Sequence, residues 1–360
     1  MRDRRPFVVV VLMLTWPVVG SAQNLALHRS IAFAQIAAGG GYESLINLTN
    51  RGTATYNGTL NMFQGTGQPW SPVVNGTAIN NGALAVTITP GQTVTFDITG
   101  STLSAGFAVI TPAGNSLSGL LDGTLTYYIR SSTGAVSDSV GVLPSSEMYV
   151  TTIPFDNFST IALALANLNP TDITVHMKLY SDTNQLMGTF DQQLQPNQHV
   201  PQYLRQFFQG VTLTRGRLDL QSDSPVIGTA LTQVESGQYS SLPFLPAAKT
   251  YTFSITSPTG TDSGEESIWF DGASIQGYGR NLTSGGSPVN ASPGFFTGQV
   301  SNGSLVITLV GNSSGTTYFQ IFTINGFSVS AQQQSGTWFA VYASSGVLAA
   351  QGTISFTATN

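Results

Sequence analysis

The feature that most constrains this chain is an internal repeat. Residues 33–50 (FAQIAAGGGYESLINLTN) are echoed by residues 150–167 (VTTIPFDNFSTIALALAN) at an ungapped shift of 117. The shift sets Ile36 on Ile153, Ile46 on Leu163, Leu48 on Leu165 and Asn50 on Asn167. Past the next turn it sets Leu60 on Met177, Met62 on Leu179 and Phe63 on Tyr180. What the matches preserve is alternation. Ile173, Val175, Met177 and Leu179 share one face of a strand, and Thr174, His176, Lys178 and Tyr180 share the other. A one-residue slip would turn the apolar set outward, so both copies need the same register. Further along, Pro90-Gly91 falls on Pro196-Asn197 as a turn, and GSTLSAG (100–106) falls on GVTLTRG (210–216). The first copy carries extra residues around 70–83.

Each copy reads as seven or eight short strands punctuated by Gly, Pro, Asn and Ser clusters, the pattern of an antiparallel sandwich. One segment departs from it. PQYLRQFFQG (201–210) predicts a short helix plugging the end of the second sandwich, with Pro at its start and Gly at its end. Its counterpart in the first copy, residues 93–100, alternates like a strand.

From about Lys249 the plan changes. YTFSI (251–255), ESIWF (266–270), SLVITLV (304–310), TYFQIFTI (317–324), GFSVSA (326–331), GTWFAVYA (336–343) and GTISFTA (352–358) read as strands. Asn325-Gly326 predicts a type I′ hairpin, whose central residues both need positive φ. A chain of hairpins predicts an up-and-down meander, closed as a small barrel or folded as a sandwich. Such a barrel either holds a small apolar ligand or is filled by side chains, and filling is the expectation. The fold class is therefore all-β: two tandem immunoglobulin-like antiparallel sandwiches, 23–146 and 147–248, then a β-meander module, 249–360.

Residues 1–22 read as a signal peptide. Arg2, Arg4 and Arg5 precede a 14-residue apolar run, 6–19, and Gly20, Ser21 and Ala22 supply small residues for cleavage near Ala22. The run falls short of the roughly 20 apolar residues of a membrane span, and no later segment supplies one. The expected location is outside the inner membrane: secreted, periplasmic or at the cell surface.

Only 8% of the chain is charged, against about 25% in ordinary soluble domains, so Ser, Thr, Asn, Gln and Gly must wet its surface. Removing Arg2, Asp3, Arg4 and Arg5 from the 12 basic and 17 acidic residues leaves 9 and 16, a formal charge of −7. So few cations cannot neutralise a row of phosphates, which argues against nucleic acid and against anionic lipid as partners. Neutral surfaces, polysaccharides or proteins are the expected partners. The absence of cysteine excludes thiol catalysis, thiolate metal sites and redox chemistry, and each unit must hold its fold by apolar burial alone.

The 33–50 segment, TITPGQTVTFDI (87–98) and the paired sandwich units resemble a group of uncharacterised secreted bacterial proteins with tandem immunoglobulin-like domains. SNGSLVITL and the C-terminal SGTWFAVYASSGVLAAQGTISFTATN resemble β-meander modules of similar exported proteins. The resemblance rests on structural glycines and core positions, so it implies export and fold and transfers no site residue.

Catalytic constellations are sparse. The three histidines, His28, His176 and His199, read as surface residues without an acid partner, and HExxH does not occur. No catalytic residue and no cofactor is assigned. Asp262, Glu265 and Glu266 form the one acidic cluster and the candidate metal (calcium) ligands, set against the reading that they solvate a turn. Asp219 and Asp223 form the other close pair, also read as a turn. For ligand binding the candidates are Trp70, in the extra loop of the first copy, and Tyr203 and Phe208, in the predicted helix; the competing reading for Trp70 is a packed loop anchor. Trp269 and Trp338 are assigned to packing.

Three functional readings follow, in order. The first is a secreted, non-catalytic binding or structural protein that presents loops to a cell surface, polymer or partner. The second is an exported carbohydrate-active enzyme or its carbohydrate-binding accessory. The third is an outer-membrane β-barrel, which alternating strands behind a signal peptide also fit.

Overall fold

The structure is a computed structural model that describes residues 31–359, apart from 115, 117–119, 234–237, 243, 247, 259, 272–273, 290–293, 302 and 314–315. The predicted signal peptide and His28 lie outside the described residues. The described chain is built of antiparallel strands, and none of its helices is long and apolar enough to cross a membrane.

The first sandwich runs through β1 (Ile31–Ala38), β2 (Tyr42–Asn50), β3 (Tyr56–Gln64), β4 (Val73–Val74), β5 (Thr77–Ala78), β6 (Ala83–Ile88), β7 (Thr93–Thr99), β8 (Ser104–Pro112), β9 (Leu121–Arg130) and β10 (Val136–Val142). One sheet has the order β1-β8-β3-β6 and the other β10-β9-β2-β7-β4-β5. Alternation supplies the core between them: Ile46 and Leu48 from β2, Leu60 and Met62 from β3, and Ile98, Ile110 and Leu125 opposite.

The second comprises β11 (Met148–Phe155), β12 (Ile161–Ala166), β13 (Ile173–Ser181), β14 (Leu186–Leu194), β15 (His199–Tyr203), α1 (Leu204–Phe207), β16 (Gly216–Gln233), β17 (Tyr239–Leu242) and β18 (Leu245–Pro246). Its pairings are β14-β13-β16-β11 and β15-β12-β16-β17, the order of the first sandwich with β16 standing where β8 and β9 stand there. The first half of β16 pairs with β11 and β13 and its second half with β12 and β17, so one strand serves both sheets. Asp219 and Asp223, read from sequence as turn residues, both lie in this strand.

Two pairs of matched residues do the same work in both copies. Asn50 donates Nδ2 to the carbonyls of Ala54 and Ile88 and accepts from Gly52 N; Asn167 donates to Thr171, Leu194 and Gln195 and accepts from Asn169 N. Each also binds the facing turn through its backbone, Asn50 with Gly91 and Gln92, Asn167 with Asn197 and Gln198. Gly91 and Asn197 take positive φ at equivalent turn positions. Gly106 and Gly216 lie against Phe63 and Tyr180, and a Cβ would meet those carbonyl oxygens at 1.9 and 2.0 Å.

The third unit comprises β19 (Ala248–Ser257), β20 (Gly260–Asp271), β21 (Ser274–Ser284), β22 (Ser287–Pro288), β23 (Gly294–Ser301), β24 (Ser304–Ser313), β25 (Thr316–Asn325), β26 (Gln333–Tyr342) and β27 (Leu348–Ala358). Leaving aside the short β22, each strand pairs with the next and β27 returns to β19, which closes an eight-stranded up-and-down barrel. Of the two meander forms expected, the barrel is the one adopted. Two strands absent from the sequence reading, β21 and β23, complete it. Both are glycine-rich, and the glycines face inward where neighbouring side chains need room: a Cβ on Gly277 would lie 2.3 Å from the Phe296 ring, and one on Gly298 3.0 Å from the Ile275 side chain.

The predicted hairpin at Asn325-Gly326 does not form. Gly326 alone takes positive φ, and β26 starts only at Gln333. The segment between, expected as a strand, instead buries Phe327 and Val329 at the base of the barrel. There they join Phe270 and Tyr149, a residue of β11 that enters the barrel core from the second sandwich. The same junction is tied by Asp223, which accepts from Ser328 Oγ and from Ser330 N and Oγ, and by Lys249, which donates to Gln221 Oε1. The two sandwiches meet through Ala32, Ala34, Phe107, Val109, Ala166 and Ile227.

Candidate functional site

With its base corked by Tyr149, Phe270, Phe327 and Val329, the barrel is open at the far end. Alternation sends Phe253, Glu266, Phe296, Ile307, Phe322, Trp338, Ile354 and Phe356 inward, and they line a cavity of about 380 Å³. The expectation of a filled barrel is therefore met only at the base. Rings dominate the lining: Phe322 and Trp338 stack with centroids 6.3 Å apart. At the lip, Tyr318 and Tyr342 approach at 5.3 Å, and Phe295 stands 83% exposed beside Val310 and Phe319.

One inward side chain is out of place. Glu266 is only 8% exposed, and its Oε1 is buried without a hydrogen-bond partner. Burial among apolar groups pushes its carboxyl up to about 8, so at neutral pH it holds a proton. Its strand neighbour across the ladder, Tyr251, is also buried with an unpartnered hydroxyl. Orphaned polar atoms of this kind are uncommon in folded proteins and cost stability. A carboxyl kept neutral in an apolar cavity can donate a hydrogen bond or, once ionised, hold a cation.

The acidic cluster nominated from sequence lies in β20 rather than in a turn, and the strand divides it. Glu266 points in; Glu265 points out and is paired with Arg280 at 2.6 Å. Asp262 lies at the cavity's edge and accepts from Gly285 N at 2.8 Å. The three are not brought to one point, and among the described residues no group of three acidic or histidine side chains could hold a metal ion.

The aromatic candidates sit elsewhere. Trp70 is 5% exposed and packs in the first sandwich core, anchoring the excursion that carries β4 and β5. Phe208 is buried beside Phe190, while Tyr203 caps α1 and has Arg205 over its ring at 5.1 Å. The helix is four residues long, shorter than expected, because β15 extends to Tyr203. These three residues form no common site. Trp269 and Tyr278 lie ring to ring at 5.6 Å on the outer wall.

The histidines depart from their sequence reading as well. His176 does have an acid partner, Asp191 at 2.8 Å. His199 is 2% exposed against Phe107 at the sandwich junction, and burial lowers it to about 4. No nucleophile accompanies His176 and Asp191 in the hydrogen bonds described, and neither ring nitrogen of His199 has a partner, so neither histidine composes a triad.

Glu266 was within reach of the sequence. It shares parity with Ile268 and Phe270, which places it on the core face of its strand, but the Gly, Ser and Thr residues around it read as a turn. Compared with known proteins, the chain matches no family model and no curated sequence.

Proposed function

We propose that this is an exported, non-catalytic binding protein whose barrel takes up a small, largely apolar ligand, with the two sandwiches as a rigid stalk. One observation carries the reading: an aromatic cavity of about 380 Å³ with a buried, unpartnered carboxyl in its wall. Cavities of roughly 300–1,000 Å³, apolar with a few placed polar groups, are the usual form of small-molecule sites. The signal-like residues 1–22 support export. The polarity of one wall supports a ligand carrier over a membrane-spanning barrel, for in β19 and β27 Phe253 and Phe356 face inward while Thr252, Ser254, Thr256, Thr353, Ser355 and Thr357 line the outside.

The test is uptake of N-phenyl-1-naphthylamine, a neutral apolar fluorophore, by the mature chain. Saturable enhancement is expected in the wild type and loss of it in Leu309→Trp, which fills the cavity from its lining. Equal enhancement in both would place the dye elsewhere and overturn the reading.

A further inference from the structure

Resting on that reading, we infer that the pole of the ligand buried in the barrel is a cation, an ammonium carried on an apolar body. The argument is one of complementarity. Glu266 presents an unshared carboxyl to the cavity, Asp262 a second acid at its edge, and the rings of Phe253, Phe296, Phe322 and Trp338 surround the space. Aromatic faces attract cations, most of all when water is excluded, and a buried carboxylate needs an opposite charge beside it.

Nothing already in place supplies that charge. Around Glu266, β19 contributes Tyr251, β20 Asp262, and β21 Arg280, whose guanidinium is engaged outside with Glu265. The remaining barrel strands add only neutral side chains to the described lining, Gln320 among them. An anionic ligand would meet two acids and no free cation, and a neutral one would leave the rings without a partner for their quadrupole. Entry of R–NH3+ is balanced by departure of the Glu266 proton to solvent, which leaves the carboxylate and ammonium as a hydrogen-bonded pair. No bond to carbon forms or breaks.

Three indoles of similar size separate the possibilities: tryptamine, tryptophol and indole-3-acetate, titrated calorimetrically into the mature chain. Tryptamine should bind at least about tenfold tighter than tryptophol, with indole-3-acetate weakest. Its affinity should rise with pH toward 8, up to about tenfold per unit, and level off above it, with close to one proton released at pH 7. Glu266→Gln should lose both the preference for tryptamine over tryptophol and the proton release.

Equal binding of the three indoles, or a preference for tryptamine that survives in Glu266→Gln, overturns the cation. If the naphthylamine probe still enters the wild type, cavity binding itself stands. Failure of both the probe and tryptamine to bind removes the two readings together.

Discussion

Buried polar side chains mark both the sandwiches and the barrel, and they are treated in opposite ways. Asn50 and Asn167, 2% and 0% exposed, spend their amide groups on backbone carbonyls and amides of their own turns. Glu266, 8% exposed, leaves Oε1 with no partner. A satisfied buried amide fixes the conformation of two loops at once and favours one register. An unsatisfied carboxyl favours nothing in the empty protein; it is a cost that a ligand can remove. The sandwiches use buried polarity to be rigid, and the barrel keeps it in reserve.

The largest effect that tests this contrast is Asn167→Ala. It takes the donor from the buried Leu194 carbonyl and from the half-buried carbonyl bonds of Thr171 and Gln195. Loss of about 3 kcal/mol is expected, since an orphaned buried group costs about 1–3 kcal/mol and the two outer carbonyls can turn to water. Urea unfolding followed by tryptophan and tyrosine fluorescence would measure it. Asn50→Ala, with two carbonyls stranded instead of three, should lose somewhat less. A loss below about 1 kcal/mol for both would mean that water replaces the amide and that the contrast is false.

Titration should divide the same two regions by sign. The folded His199 sits at about 4, below its unfolded value near 6.5. The unfolded state then binds the extra proton, so this stability is complete above about pH 6.5 and drains as pH falls toward 4, by up to about 3 kcal/mol at about 1.4 per unit. Glu266 sits at about 8, above its unfolded 4.5. Here the native state holds the extra proton, so stability is complete below about pH 4.5 and is lost as pH rises toward 8. Thermal unfolding across pH 4–9 should show an acid limb abolished by His199→Phe and an alkaline limb abolished by Glu266→Gln. Limbs that persist in these variants would assign the titration to other groups.

Glu266→Leu comes next in size and opposite in sign to the asparagine changes. Replacing an unpartnered carboxyl by an apolar side chain of similar volume should raise stability by about 1–2 kcal/mol at pH 7. Destabilisation would show that the carboxyl has a structural partner after all.

The contrast also explains what could be read from the sequence. The Asn50–Asn167 match and the Gly106–Gly216 match stand out in a one-dimensional comparison because each residue answers to residues near in sequence or to an equivalent strand in its own copy. All-β architecture and the meander were legible for the same reason, since alternation is local. The barrel's closure was not. Gly277 and Gly298 lie in β21 and β23, two strands missing from the sequence reading, and only the folded barrel brings the Phe296 ring against the first and Ile275 against the second. His199 misled in a similar way, since a histidine beside a turn looks exposed until the opposing sheet is in place, whereas Trp70 takes the packed-anchor place that was one of its two readings. Glu266 lay between these cases, its parity visible and its surroundings misread.

The smallest effect is the sharpest test of that parity. Glu265 and Glu266 are adjacent in sequence and lie on opposite sides of one barrel wall. Glu265 is half-exposed and its pairing with Arg280 is solvated. Surface pairs of this kind contribute about 0–1 kcal/mol. Glu265→Gln should therefore change stability by less than about 1 kcal/mol and leave the naphthylamine titration, the alkaline limb and the tryptamine preference as they are in the wild type. Only the inner carboxyl is buried with rings around it, so only its loss should be felt in the cavity. If the outer substitution moved ligand binding as much as the inner one, the effect would belong to the strand's fold or to the barrel's overall charge, and the buried carboxyl would lose its special place.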